Sequence, residues 1–263
     1  MIDLSLFKLG WALEKVPQPS GYPGGKNKLT RAILAHAPEH KTYVEPFAGG
    51  AAVFFAKKPA AKNILNDFDP QVAGFLRKFS CPELQGCSLD KPTMSKRETV
   101  TKKFRAGSTK TCDYVMARHL SFNSNGKDIH RGMKTTAVGT RLVARCGETK
   151  ARLQKAKILN QDFRKVAKAN DKPGTFQFWD PPYEGRAKGF YKFEEGTSPE
   201  AVCLAAKSLK NAKVLITHYD HKDVRQACAG LQMKSIPYQY VSRNRNHGKV
   251  HRVKELLIAN YPL

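Results

Sequence analysis

The 263-residue sequence lacks the features that would anchor a protein in a membrane. It contains no run of about 18 apolar residues, the length that a membrane-spanning helix needs. Its first stretch is interrupted by Asp3, Lys8 and Glu14, whereas a signal peptide has an uninterrupted apolar centre. We therefore predict a protein located in the cytoplasm.

Cysteine motifs typical of structural zinc sites are also missing. The sequence has six cysteines, and no two of them show C-x-x-C spacing. We predict no bound metal and, for a cytoplasmic protein, reduced thiols. The six positions are Cys81, Cys87, Cys112, Cys146, Cys203 and Cys228.

Acidic residues are scarce relative to basic ones. There are 22 Asp and Glu against 46 Lys and Arg, which gives a formal net charge of +24. Such an excess repels itself in a compact fold and favours a polyanionic partner. Nucleic acid is the predicted partner, because each phosphate that pairs with a Lys or Arg releases a condensed counterion. The other interpretation is a merely basic protein that binds anionic membranes.

Short apolar strands alternate with helical patterns along most of the chain, which predicts an α/β fold with an open, mostly parallel sheet. Two strands about a Gly turn at the end predict an antiparallel hairpin. Between residues 81 and 150 the apolar periodicity fades, so this segment is predicted to be an insertion with a small core of its own. It separates two parts, residues 1–80 and 151–263, of a single larger domain. The predicted strands are Thr42–Glu45, Asn63–Leu65, Ala156–Leu159, Phe176–Trp179, Val214–Thr217, Tyr238–Ser242 and Val253–Ala259.

The most specific short motif is Asp180-Pro181-Pro182-Tyr183, directly after a predicted strand. Two prolines remove backbone donors and fix an extended turn. The Asp180 carboxylate and rigid backbone carbonyls are acceptors aimed at one place, and Tyr183 offers an aromatic face. Together they suit a planar group that bears an amine. The plain alternative is a strand-ending Pro-Pro turn with a capping Asp and a core Tyr.

Two further motifs lie before this one. The segment from Glu45 to Ala51 joins a strand to a helix through Phe47, Ala48 and a Gly-Gly turn, which allows a ligand to approach the backbone closely. Asp67 ends the next strand, where a carboxylate can bind ribose hydroxyls. The turn from Tyr22 to Lys26 contains two glycines and a lysine that could cradle a carboxylate. Each of these motifs alone is common in ordinary turns.

In this order the three motifs resemble the Dam-type family of N6-adenine DNA methyltransferases. The resemblance extends to Val214–Thr217 and Arg252–Leu257, so it covers nearly all of the chain outside the insertion. It implies a Rossmann-like methyltransferase fold with an inserted target-recognition domain, and S-adenosyl-L-methionine as the cofactor. One departure is that relatives often have glycine where this chain has Ala51 or Ala52, so a methyl group would stand nearer the cofactor.

The resemblance also assigns roles to residues. Tyr22 and Lys26 would meet the methionine end of the cofactor, Asp67 its ribose, and Asp162-Phe163 its adenine. The catalytic residues would be Asp180, Pro181, Pro182 and Tyr183, and Tyr183 with Phe190 would hold the target base. The complete implied cofactor set is Tyr22, Lys26, Glu45, Phe47, Ala48, Gly49, Asp67, Asp162, Phe163 and Asp180.

DNA contacts are predicted in two basic stretches. The insertion offers arginine and amide side chains of the kinds that hydrogen-bond guanine and adenine edges, followed by cations for phosphates. A second basic stretch lies at the tip of the C-terminal hairpin. Solvated basic loops are the alternative explanation for both. The residues predicted to bind DNA are Arg118, Asn123, Asn125, Lys127, Arg131, Lys134, Arg243 and Arg245, with Arg141 and Arg145 as additional phosphate contacts.

These observations predict a site-specific enzyme that methylates a flipped-out adenine in duplex DNA. An RNA adenine methyltransferase and a non-catalytic DNA-binding relative are the open alternatives. A cytosine-amine enzyme is disfavoured because such enzymes more often have serine in place of Asp180. We expect a monomer or weak dimer, with a cognate restriction endonuclease as a further candidate partner.

Overall fold

A seven-stranded sheet forms the centre of the molecule in the computed structural model, which describes residues 16–87, 92–121, 124–126, 141–183, 196–241 and 250–263. The strand order is β3-β2-β1-β4-β5-β7-β6, and β7 runs antiparallel to both of its neighbours. The predicted α/β, Rossmann-like fold with a C-terminal antiparallel hairpin is thereby confirmed. The strands are β1 Thr42–Glu45, β2 Lys62–Asn66, β3 Ala156–Leu159, β4 Thr175–Trp179, β5 Lys213–Tyr219, β6 Gln232–Val241 and β7 Val250–Ala259.

Helices surround this sheet. In the described part of the chain they are α1 Thr30–Ala35, α2 Ala52–Ala56, α3 Pro70–Lys78, α4 Cys81–Gln85, α5 Met94–Arg105, α6 Thr111–Leu120, α7 Cys146–Gln154, α8 Phe163–Ala169, α9 Pro199–Ser208 and α10 Lys222–Ala227. All five residues of the central strand β4 are buried, as expected for a parallel strand covered on both faces. None of these helices is long and apolar enough to cross a membrane.

The strand order fixes where a ligand can bind. Connections from β1 lead to β2 on one side, while β4 lies on its other side, so the order reverses between β1 and β4. Open α/β sheets bind ligands in the crevice beyond the carboxyl ends of the strands at such a reversal. The loop after β1, Asp67 after β2 and Asp180 after β4 all follow strands at this edge. The fold therefore brings the predicted motifs to one end of the sheet.

Both strands of the hairpin are longer than predicted. The sequence analysis predicts that this strand begins at residue 238, whereas β6 begins at Gln232. Pro237 pairs with Lys254 of β7 inside the ladder. The structure accommodates this proline because β6 is the last strand of the sheet, where one side of the backbone has no partner strand.

The segment 81–150 is predominantly helical in its described part, and its apolar side chains do not form a separate core. Val100 and Phe104 of α5 and Tyr114 of α6 belong to the same buried cluster as Phe54 and Phe75. The ring of Tyr114 stacks on that of Phe75, with centroids 3.9 Å apart. The expectation of a small independent core is therefore wrong, although the domain boundaries themselves stay a prediction.

The expectation of reduced thiols is also wrong, since all six cysteines are paired in disulfides. The packing of helices brings cysteines that are distant in sequence to Cα–Cα separations of 5.2 to 5.7 Å, a span that a disulfide bridges readily. Sequence spacing alone does not reveal such pairs. The pairs are Cys81–Cys146, Cys87–Cys112 and Cys203–Cys228.

Candidate active site

The N-terminal turn and the Asp-Pro-Pro-Tyr motif meet through an ion pair. The Lys26 ammonium lies 2.7 Å from Oδ1 of Asp180, and the Lys26 side chain is almost fully buried. Its turn is closed by a hydrogen bond from Gly25 N to the Tyr22 carbonyl, and Gly24 adopts a φ of 69° that favours glycine. The Lys26 ammonium also donates to the Gly24 carbonyl at 3.0 Å. The two glycines thus shape a turn that aims the lysine at the end of β4.

The Asp180 carboxylate is held from several directions. Besides Lys26, the Thr217 hydroxyl on neighbouring β5 donates to Oδ1 at 2.9 Å, and the Tyr183 hydroxyl lies 3.3 Å away. Within the described ranges, every hydrogen bond or ion pair of this carboxylate goes to Oδ1. Its side chain retains 22% exposure. The described surroundings therefore fix the orientation of Asp180 while leaving Oδ2 as an available acceptor.

Glu255 of β7 is a site residue that the sequence analysis did not assign. It is 2% exposed, accepts a hydrogen bond from the Tyr183 hydroxyl at 2.5 Å, and lies 3.6 Å from the Lys26 ammonium. The available signal was an acidic residue next to Leu256 and Leu257 in a strand that pairs on both sides. An acidic residue at such a position is buried only if it finds partners.

These charges shift the protonation equilibria of the site. Burial alone would lower the pKa of Lys26, but the carboxylates of Asp180 and Glu255 outweigh it and leave that pKa raised. Burial raises the pKa of Glu255, and the Lys26 ammonium opposes this. Burial and the same two carboxylates raise the pKa of Tyr183 well above its ordinary value. At neutral pH Lys26 is therefore charged and the Tyr183 hydroxyl keeps its proton.

Aromatic rings surround Tyr183. Its ring stacks on His218 of β5, with centroids 4.4 Å apart and planes at 28°, and meets Tyr219 edge-on at 4.5 Å. The Lys26 ammonium lies 4.7 Å from the centre of the Tyr183 ring. Burial lowers the pKa of His218, which favours its neutral form. The site thus combines a charged acceptor with a stack of flat, mainly uncharged rings.

The glycine turn after β1 lies directly against the N-terminal turn. Gly49 has a φ of 48°, and a Cβ at this position would come within 2.9 Å of the Tyr22 ring, so only glycine fits. Gly49 N donates to Oδ2 of Asp67 at 2.8 Å, and Asp69 N donates to Oδ1. Burial, opposed by these two bonds, raises the pKa of Asp67 to about 6. Phe68 follows, with 43% of its surface exposed.

The remainder of this loop is anchored to β2. Ala48 N donates to the Asn66 carbonyl at 2.8 Å, and the Asn66 amide donates to the Pro46 carbonyl at 2.9 Å. Ala51 adopts a φ of 54°, in the left-handed region. This region favours glycine, so alanine is an uncommon residue at this point of the loop. The Ala51 methyl group is buried in the core.

Asp162 and Phe163 lie at the start of α8. The Phe163 ring is fully buried between Phe47, at 4.8 Å, and Trp179, at 5.6 Å between centroids. The Asp162 carboxylate caps α8 by accepting from Arg164 N and pairs with the Arg164 guanidinium. A ligand can therefore reach Phe163 only through its backbone, while Asp162 already has a local partner.

Glu45 lies behind the loop at the end of β1. It is 2% exposed, and in the described structure its Oε2 has no hydrogen-bond partner. Burial raises the pKa of Glu45 to about 8 and lowers that of nearby Lys57 to about 7. The Lys57 ammonium lies 4.4 Å from the centre of the Tyr43 ring. Since a pKa of about 8 leaves this carboxyl protonated at neutral pH, Glu45 is an uncharged group in the core beside the loop.

Two residues predicted to contact DNA are buried instead. Arg118 of α6 is 4% exposed, and its guanidinium lies 4.7 Å from the Tyr22 ring centre and donates to the Ser124 carbonyl at 2.8 Å. It also donates to the Tyr114 hydroxyl at 3.3 Å. Asn125 is 2% exposed. Both side chains are buried, and the Arg118 guanidinium lies beside the N-terminal turn, so the structure contradicts a DNA-groove contact for either residue.

Of the other residues predicted to contact DNA, two lie in the described part of the chain. Arg141 is exposed, and Arg145 forms an ion pair with Glu148 on the surface. Among the described residues no group of three or more His, Cys, Asp or Glu side chains is placed to hold a metal ion. Phe190, Asn123, Lys127, Arg131, Lys134, Arg243 and Arg245 lie outside the described residues.

Comparison with known proteins supports the resemblance that the motifs indicated. The model of the D12 class N6 adenine-specific DNA methyltransferase family matches residues 22–107, which is 86 of the 263 residues. This segment contains the N-terminal turn, the loop after β1 and Asp67. The match confirms the similarity to the Dam-type family. No curated protein sequence matches the chain significantly.

The similarity of this chain to solved structures is weaker than its match to the family model. Precorrin-6y C5,15-methyltransferase from Geobacter metallireducens is 11% identical over 89% of this chain and 86% of its own, with a TM-score of 0.41. A Streptococcus mutans protein named as a candidate methyltransferase, solved in complex with SAH, is 10% identical over 88% of this chain and 96% of its own, with a TM-score of 0.37. Scores this low identify neither a substrate nor a site.

Proposed function

We propose that this chain is a site-specific DNA methyltransferase that transfers a methyl group from S-adenosyl-L-methionine to the exocyclic amine of adenine. The observation that carries the proposal is the fixed carboxylate of Asp180 at the end of β4. Lys26 and Thr217 hold its Oδ1, and among the described residues none occupies Oδ2 beside the rigid Pro181 backbone. The family match over residues 22–107 supports the adenine amine as the acceptor.

The residues around the loop after β1 fit the cofactor. Gly49 brings the backbone close, Asp67 supplies a carboxylate at the end of β2 for ribose hydroxyls, and the exposed ring of Phe68 gives an apolar surface for an adenine. When bound, S-adenosyl-L-methionine supplies an electrophilic methyl group on a sulfonium. Tyr22, Lys26 and Glu45, at or next to this loop, are assigned to its methionine end.

The chain's own residues then position the acceptor. The target adenine leaves the duplex and stacks on the aromatic group around Tyr183. Asp180 and the Pro181 carbonyl accept the two amine hydrogens and direct the nitrogen lone pair toward the methyl group. Methyl transfer would form the N–C bond at the expense of the sulfonium S–C bond of the donor, and Asp180 would accept the proton that the methylated amine releases. Such positioning contributes about 7–11 kcal/mol in well-oriented reactions.

Duplex DNA is the proposed substrate because the chain carries a net charge of +24. A positive charge would bind RNA equally well, so one experiment compares the two polymers as substrates. Purified protein is incubated with labelled S-adenosyl-L-methionine and either duplex DNA or structured RNA, and the nucleosides are separated by mass spectrometry. N6-methyladenine in DNA is the expected product. Methylation of RNA alone would move the proposal to that polymer, and no methylation of either would refute it.

Asp180→Asn tests the assigned carboxylate in the same assay. The variant keeps the shape of the side chain but replaces one carboxylate oxygen with an amide nitrogen, which donates hydrogens and cannot accept those of the adenine amine. We expect methyl transfer to fall at least about 100-fold, within the range for loss of general-base and electrostatic groups. Affinity for non-specific DNA should stay near that of the wild type. Full activity of the variant would disprove the role of Asp180.

A further inference from the structure

Glu255 is the one buried carboxylate of the described site for which the proposed chemistry has no use. It sits on β7, where its backbone pairs with Tyr219 of β5 on one side and Ile236 of β6 on the other. The main chain at this position is therefore held by two strands of the sheet. A side chain on such a rigid backbone can fix the position of the groups that it binds.

A carboxylate with 2% exposure needs partners, because an unpaired charge away from water is strongly unfavourable. Within the described ranges Glu255 has two, the Tyr183 hydroxyl at 2.5 Å and the Lys26 ammonium at 3.6 Å. Both partners also contact Asp180, Lys26 at 2.7 Å and the Tyr183 hydroxyl at 3.3 Å. Glu255 is thus connected to the reacting end of the site through two side chains, and it has no described contact with Asp180 itself.

The distances indicate how the hydrogens are shared. A tyrosine hydroxyl has one hydrogen to donate. It lies 2.5 Å from Glu255 and 3.3 Å from Asp180, so the hydrogen goes to Glu255. This leaves Oδ1 of Asp180 to Lys26 and Thr217. The Lys26 ammonium, between two carboxylates, is attracted by both and stays near the centre of the cluster.

We infer that Glu255 is a positioning residue for the methyl-transfer reaction. It holds the Tyr183 ring by its hydroxyl and the Lys26 ammonium by charge, and through them sets the stacking surface for the target adenine and the orientation of Asp180. The inference rests on the proposed function. It assigns Glu255 no contact with the substrate or the cofactor.

Two variants separate the hydrogen bond from the charge. Glu255→Gln keeps an oxygen that can accept from Tyr183 but has no charge for Lys26, whereas Glu255→Ala loses both interactions. We expect kcat to fall roughly 100-fold in the alanine variant and less in the glutamine variant, since small displacements of reacting groups have effects of this size. KM for S-adenosyl-L-methionine should change less than about twofold, because Lys26, assigned to its methionine end, stays paired with Asp180 and the loss falls on the chemical step. Glu200→Gln, an exposed acid on α9, is the matched control.

A direct readout of the contact does not depend on activity. Protein labelled with carbon-13 at the tyrosine Cζ gives one resonance per tyrosine, and the resonance lost in Tyr183→Phe identifies Tyr183. Glu255→Gln should shift this resonance, whereas Glu200→Gln should not. Thermal unfolding of each variant shows whether the fold is retained.

The possible outcomes are distinct. A shifted Tyr183 resonance together with a reduced kcat at nearly constant KM supports the inference. An unshifted resonance in folded Glu255→Gln, or an unchanged kcat in folded Glu255→Ala, overturns it. If wild-type protein methylates nothing, the proposed function fails and the positioning role with it, even where the resonance shows that the contact exists.

Discussion

Asp67 is a residue whose charge state should control cofactor binding. Its carboxylate accepts two backbone hydrogen bonds but is largely shielded from water, and burial raises its pKa to about 6. Only the ionised form offers full acceptor capacity to ribose hydroxyls. Because the pKa is raised, the group is protonated below pH 6 and ionised above it, so affinity should increase as the pH rises through this value.

Calorimetry with S-adenosylhomocysteine between pH 5 and pH 8 tests this dependence. We expect the Kd to fall about tenfold for each pH unit below the pKa of Asp67 and to level off above it, as linkage requires when one protonation state binds. Asp67→Asn should bind more weakly and lose the pH dependence. An affinity of the wild type that does not change over this range would contradict the assignment.

Phe68 offers a second test of the cofactor pocket at the scale of one residue. Its ring is 43% exposed next to Asp67, and it is one of few large apolar residues with such exposure in the described chain. Phe68→Ala should leave unfolding nearly unchanged, within about 0.5 kcal/mol, because an exposed side chain contributes little to the core. The affinity for S-adenosylhomocysteine should fall about tenfold, in line with the loss of one aromatic stacking partner for a base.

The control for this experiment is Leu204→Ala. Leu204 on α9 is 69% exposed, so its truncation removes a similar amount of apolar surface elsewhere. It should change neither stability nor affinity for the cofactor analogue. Equal effects of the two variants would show that Phe68 has no specific role at the site.

At the scale of secondary-structure elements, the sequence predicted the sheet better than the insertion. The strand β4 contains Phe176, Phe178 and Trp179 and is followed closely by Pro181, so its type and position are evident from the local pattern. The helix α5 was not predicted, because charged and polar residues outnumber the apolar ones that it buries. Val100 and Phe104 of this helix are buried because they pack on the main core.

The buried charges of the site could not be predicted for a related reason. Glu255 is stabilised by Tyr183, 72 residues away, and Arg118 by the ring of Tyr22. A local pattern carries no information about partners at that distance, so Arg118 was read as a DNA contact. The Asp-Pro-Pro-Tyr motif, by contrast, is contiguous, and its chemistry was evident before the fold was known.

Through Arg118, the helix α6 supports the N-terminal turn. The Arg118 guanidinium stacks against Tyr22 and hydrogen-bonds Tyr114 and the Ser124 carbonyl. Arg118→Met should lower the free energy of unfolding by about 2–4 kcal/mol, because desolvated cation–π contacts and buried hydrogen bonds are lost together. Chemical denaturation measures this directly.

The same variant should bind non-specific DNA almost as well as the wild type, since a buried guanidinium neutralises no phosphate. Arg141→Met is the matched comparison, because Arg141 is exposed in the same segment of the chain. It should weaken DNA binding and leave stability unchanged. If Arg118→Met instead weakened DNA binding without loss of stability, the corrected role of Arg118 would be wrong.

At the scale of the whole molecule, the excess of 46 basic over 22 acidic residues is its most general property. Described cations such as Lys26 and Arg118 are buried and paired inside the protein, so they do not contribute to a DNA surface. The predicted phosphate contacts must come from exposed side chains. The number of Lys and Arg side chains that contact DNA is therefore smaller than the 46 in the sequence, and an experiment has to measure it.

The salt dependence of binding supplies that number. Six to ten phosphate contacts would give a slope of about −5 to −9 for log Kobs against log salt concentration, as counterion release requires. Fluorescence anisotropy with a labelled duplex measures it, and Asp180→Asn should give the same slope because it removes no phosphate contact. A slope near zero would show that the basic surface does not bind the DNA backbone. The net charge of +24 would then need another polyanion, and anionic vesicles are the first alternative to test.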